Sequence, residues 1–258
     1  MIGAHRPPIE EADPMPGSWT ADLLLGCAVL AGASVQRLAG VGFALVAAPV
    51  LVLLVGAADG VALSNVSAGA ISAVGLLGSW RQVRLTAMLP LVLAAACTVP
   101  AGAWVAAEVP ETGLLIGIGL LVSLASVLVL RGVRASALRG IGGALAAGAT
   151  SGFMNAAAGV GGPAVSLYAV NTGWSAAEFV PNAQFYGVVV NVFSIAAKGV
   201  PGLAVPAWCL VGAALAGGAA VGRVLAARVS DRSARFAVLG LALAGGLTTL
   251  VKGVSGLG

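Results

Sequence analysis

Charge is what this sequence has least of. Its 13 Lys and Arg and 9 Asp and Glu make up 9% of 258 residues, where a soluble domain carries about a quarter. So few polar side chains cannot coat a water-soluble surface, which excludes the ordinary soluble globular class. Histidine occurs once, at His5, ahead of the first apolar run. A nucleophile-and-base pair inside an apolar bundle is thereby excluded, as is a metal site built on histidine. The expectation is therefore no catalytic residue, no metal and no cofactor. The three cysteines, Cys27, Cys97 and Cys209, are odd in number, lack a CxxC spacing and fall in apolar runs. They make neither a disulfide framework nor a zinc site, and are expected to be buried as small apolar residues. The net charge is +4, but the basic residues stand at the ends of apolar runs. That placement orients a chain in a bilayer and argues against nucleic acid as a partner.

What is abundant is apolar length. Hydrophobic residues make up 59% of the chain, and a helix needs about 20 of them in a row to cross the hydrocarbon core. Apolar stretches run at roughly 20–37, 39–57, 60–80, 85–107, 112–130, 140–157, 159–173, 175–197, 203–227 and 233–251. The lipid bilayer is the expected solvent, and an all-α polytopic membrane protein is the expected fold. Residues 1–18, with four prolines and no apolar core, read as a solvated tail rather than a signal peptide.

The chain repeats itself at a shift near 117 to 119 residues. Ala39-Gly40-Val41-Gly42-Phe43 echoes Ala158-Gly159-Val160-Gly161-Gly162-Pro163, Asn65 falls opposite Asn182, and Arg81 falls opposite Lys198. Residues 19–131 and 132–258 are thus expected to form two transmembrane repeats of about five helical elements each. Loops holding Arg81 and Arg84, then Arg131, Arg134 and Arg139, then Arg223, Arg228, Arg232 and Arg235 read as cytoplasmic, and the Glu108–Glu111 loop as external. Five is odd, so the second repeat enters the membrane in the opposite sense. This inverted-topology repeat, with both termini outside, is a construction of secondary transporters.

Two of the stretches, 39–57 and 159–173, are short, begin in glycine and follow their predecessors without a polar loop. They read as broken or re-entrant helices. Gly40, Gly42, Gly159, Gly161 and Gly162 permit a helix break at membrane depth, and Pro163 suits the first turn of the helix that follows. Helix starts there would aim N–H groups and positive dipole ends at a shared anion; close helix packing is the competing reading of the glycines. Arg37, the one base well inside an apolar run, is a candidate for attracting the anion, with snorkelling to the interface as its rival. Gln36 and Asn155 precede Gly40 and Gly159 by four residues each, and Asn65, Asn182 and Gln184 join them as amide donors to a small anionic substrate. Ser64, Ser67, Tyr186 and Asn191 are further polar residues of the same set.

At these residues the sequence resembles the sulfite exporter TauE/SafE family, also called the toluene sulfonate uptake permease family. The resemblance rests on VQRLAGVGFALVAAPVL at 35–51 and SGFMNAAAGVGGPAVSLYAVNTGWSAAEF at 151–179, with Gly-Val-Gly-Phe standing where many members have a glycine-richer turn. It implies a carrier of sulfite, thiosulfate, sulfonates or related organic anions in the bacterial cytoplasmic membrane, driven by an ion gradient with a proton or cation as coupling ion. A passive anion channel and an intramembrane enzyme are the rival classes; the enzyme lacks its histidine.

Overall fold

The computed structural model describes residues 18–131, 139–226, 228 and 231–256. The expected 1–18 tail therefore lies outside the described residues except for Ser18, as does Arg134 of the expected 131–139 loop. The described chain is all-helical: α1 Ser18–Ala39, α2 Phe43–Val55, α3 Ala57–Leu77, α4 Leu85–Glu108, α5 Glu111–Leu130, α6 Gly140–Ala158, α7 Gly162–Thr172, α8 Ala176–Lys198, α9 Val205–Ala226 and α10 Asp231–Ser255, with a short 3-10 turn at Trp80–Gln82. The cause is the solvent: lipid offers no partner for a free N–H or C=O, so each apolar run closes its backbone bonds within itself. Among the described residues six helices are long and apolar enough to cross a membrane, namely α1, α3, α4, α5, α8 and α9. With 13 and 11 residues, α2 and α7 extend about 20 and 17 Å, well short of the roughly 30 Å core.

Helix ends fall within a few residues of the apolar stretches, and the misses have local causes. The third helix begins at Ala57 rather than near residue 60 because Gly56, at φ +86°, ends α2, and the Ala57 N–H then donates to Glu111 Oε1 at 3.3 Å. Polar Asp59 therefore stands inside the first turn of α3.

Small residues let the helices approach closely. Gly148 and Gly152 of α6 sit against the backbone of Leu91 and Ala95 on α4, and Gly218 and Gly222 of α9 against Leu30 and Ser34 on α1. Each is a small-xxx-small seam, the packing device of membrane helices. Away from the seams, Leu85, Leu89 and Leu93 form an exposed stripe along α4, facing where lipid would lie. The cysteine expectation is corrected here: Cys27, Cys97 and Cys209 are all exposed on the outer surface. Lipid is as apolar as a core, so an outward cysteine and a buried one look alike in sequence.

The two ends of the bundle are tied by different residues. At one end Arg84 pairs with Glu178 (Nη1 to Oε1, 2.7 Å), the Arg84 N–H donates to Asn182 Oδ1 at 2.8 Å, and Arg139 Nε donates to Asn171 O at 3.1 Å. At the other, Gly202 N–H donates to Asp59 Oδ1 at 3.3 Å and Lys252 Nζ to Leu53 O at 3.4 Å.

Candidate functional site

Both glycine stretches interrupt the helical run. The first helix stops at Ala39 and the second starts at Phe43; the sixth stops at Ala158 and the seventh starts at Gly162. Gly40 (φ +81°), Gly42 (φ +123°) and Gly159 (φ +74°) take backbone conformations that a side chain would strain. Neither new helix start is capped by its N-cap side chain, because that residue is Gly42 in one and Gly161 in the other. The leading N–H groups of α2 and α7 lack intrahelical partners, and Pro163 occupies the first turn of α7 as expected.

The two breaks meet in one cavity of about 410 Å³. Gly40, Gly42, Gly159, Gly161, Gly162 and Pro163 all line it, together with Ala44, Leu45 and Val165 from the helix starts. Gln36 and Asn155 line it too, each fixed by a second helix. Gln36 Nε2 donates to Ser72 Oγ at 2.6 Å and to Ala68 O at 3.2 Å, while its Oε1 accepts the Phe43 N–H at 3.2 Å, so one side chain joins α1, α2 and α3 across the break. Asn155 Nδ2 donates to Asn191 Oδ1 at 3.0 Å and to Ser194 Oγ at 2.9 Å, joining α6 to α8. The pairs Gln36–Ser72 and Asn155–Asn191 are each 36 residues apart in sequence. On the far wall the lining is apolar and aromatic: Val170, Trp174, Phe179, Val180 and Tyr186.

The other expected site residues lie elsewhere. Arg37 is not part of the cavity wall; its Cβ packs against Gly222 of α9 and its Nε is buried without a partner. Asn182 joins the ends of α4 and α8, donating to Glu178 O at 2.7 Å and accepting from the Arg84 N–H. Gln184 is fully buried against Gly75, with both amide atoms unpartnered. Asn65 is likewise buried and unpartnered, behind Gly159 rather than in the cavity.

Such a chamber, apolar with a few convergent donors, suits a small molecule with a polar head. The family model for the sulfite exporter TauE/SafE matches residues 24–249. The chain belongs to that family. It is accordingly a multi-pass membrane transporter of sulfite or related anions, and not an enzyme. No curated protein and no solved structure matches it. Within this TauE/SafE chain both glycine breaks fall in the matched span, as does every residue that lines the cavity.

Sequence reasoning missed Ser72, Ser194 and Lys198. Ser72 lies seven residues after Asn65 and Ser194 three after Asn191, on shared helix faces, and that spacing was the available signal. Lys198 Nζ donates to Ala156 O at 2.7 Å, a contact across 42 residues with no local trace.

Proposed function

We propose that this TauE/SafE protein is a secondary carrier that holds its anion at the two glycine-turn helix starts and moves it by alternating access. One observation carries the reading: breaks 119 residues apart in sequence, Gly40 and Gly159, line a single cavity. The first-turn N–H groups that have no partner within their helices, apart from that of Phe43, and the positive ends of two helix dipoles make an anion site without a fixed charge. The residues proposed to touch the anion are Gly40, Gly42, Gly159, Gly161, Gly162 and Pro163, with Gln36 and Asn155 holding the turns in shape. Arg37 has no part in it.

Two inverted repeats underlie the mechanism. In support, helix pairing survives a shift of five elements: α1 packs on α9 as α6 packs on α4, while α3 with α8 and α5 with α10 map onto themselves. The matched hydrogen-bonded pairs at Gln36 and Asn155 support it as well. By the positive-inside rule the end carrying Arg84 and Arg139 faces the cytoplasm, which sets both termini outside.

The two halves differ where a carrier's gates belong. Along α2 and α3 the contact is close, with Gly60 against the backbone of Val52. Their counterparts α7 and α8 barely touch, and Val170, Trp174, Phe179 and Val180 line the cavity between them. This favours a carrier open to the cytoplasm over a static pore, since one half is sealed. The apolar wall and the size of the chamber leave room for an anion with an organic tail, such as a sulfonate, as well as for sulfite. Reconstituted protein should therefore show saturable uptake and counterflow of labelled anion. Flux that is linear in concentration and lacks counterflow would replace the carrier with a channel.

A further inference from the structure

The rear face of the second glycine break carries polar atoms that the anion site does not use. Asn65 and Ser64 of α3 are fully buried; the amide oxygen and nitrogen of Asn65 and the Ser64 hydroxyl have no hydrogen-bond partner. Unpaired buried groups of this kind are costly and call for a missing occupant, a water or an ion. Both side chains converge on Gly159, where a β-carbon would stand 3.3 Å from Ser64 Oγ and 3.6 Å from Asn65 Oδ1. Gly159 also ends α6: Asn155 O accepts the Gly159 N–H, and at this same helix end Ala156 O accepts Lys198 Nζ at 2.7 Å. The carbonyls of Ala157 and Ala158 thus remain at the negative end of the helix dipole.

The glycine break thus has two chemical faces. Toward the cavity it offers N–H groups; toward α3 it offers oxygens. A hydroxyl, a carboxamide oxygen and peptide carbonyls are hard, neutral ligands suited to an alkali cation. None of these three ligand types takes up or releases a proton under physiological conditions.

We propose that Ser64 Oγ, Asn65 Oδ1 and the carbonyl end of α6 hold a monovalent alkali cation such as sodium, and that this cation couples to the anion bound across Gly159. The coupling rests on the carrier reading: two opposite charges sharing one backbone turn stabilise each other and order it together. At the first break the counterpart of Asn65 is Asn182, already bonded to Arg84 and Glu178, and Gly40 is flanked by Val180. Only the second break therefore has its oxygen cluster assembled in this conformation.

The test uses purified full-length protein with sodium chloride or choline chloride at equal ionic strength, with and without choline sulfite. A ligand that binds the folded state raises its melting temperature. Sodium but not choline should do so, and sodium should tighten sulfite binding at least about fivefold, the low end of measured site-to-site couplings. Ser64→Ala and Asn65→Ala should each lose the sodium response yet keep a weakened response to sulfite. Ser64→Ala, the smaller change, carries the test if Asn65→Ala does not fold. Equal melting in sodium and choline, or a sodium response that survives in the variants, would overturn the cation site while leaving an intact anion response, and with it the carrier reading, untouched. A sodium response lost in the variants, with no anion response in the parent protein, would uphold the cation site and overturn the carrier reading.

Discussion

At the scale of single residues, the glycine turns combine a conformational demand with a chemical one. Gly159 needs a positive φ and also a bare α-carbon facing Ser64. Gly159→Ala is expected to cost about 1–3 kcal/mol from backbone strain and to weaken anion binding, checked by thermal unfolding with and without ligand. Gln36 answers a different need, spending its oxygen on the Phe43 N–H and its nitrogen on Ala68 and Ser72. Replacing it with Leu takes this partner from the Phe43 N–H and the Ser72 hydroxyl, which costs roughly 1–3 kcal/mol and should appear as a lower melting temperature. Arg37→Ala should lower stability while leaving the apparent anion affinity unchanged, because the residue packs on α9. Reduced affinity in that variant would return the arginine to the substrate path. Arg37 shows what a sequence hides: two adjacent residues, Gln36 and Arg37, point about 100° apart on a helix, and only one of them reaches the cavity.

At the scale of elements, the closest helix contacts are seams of small residues. The α4 and α6 backbones touch at Gly148 and Gly152, so a larger side chain must push the helices apart. Gly148→Leu is expected to destabilise the fold by about 1–3 kcal/mol or more and to reduce the yield of protein that stays monodisperse in detergent. Leu89→Ala on the exposed stripe of α4 should change little by comparison, because more than half of the residue is exposed. Existence and type of the helices were legible in the sequence because uninterrupted apolar length is a signal that lipid imposes directly. Exact ends were less so: Gly56 stops α2, yet nothing distinguishes it locally from the glycines inside the other helices.

At the scale of the whole molecule, the asymmetry between the halves is what a carrier caught in one state would show. If α7 closes on α8 while α2 lifts from α3, a Val170→Cys, Phe179→Cys pair should cross-link under oxidant and stop transport until reduced. Exchange that continues in the cross-linked protein would exclude movement at that mouth. The background is accessible, since Cys27, Cys97 and Cys209 face outward and can be replaced without opening a cavity.

The sequence by itself determined the bilayer as solvent, the number and type of helices, and the two places where glycine breaks them. All of these depend on local composition, and a membrane reads local composition through hydrophobic length and the need to satisfy every peptide group. Which polar side chains share a space was decided only by tertiary structure. Gln36 and Asn155 reach the cavity, Arg37 turns away, Asn182 ties two helix ends, and Asn65 stands behind the turn, because helix rotation and pairing over more than a hundred residues set those directions and no short stretch of sequence carries them.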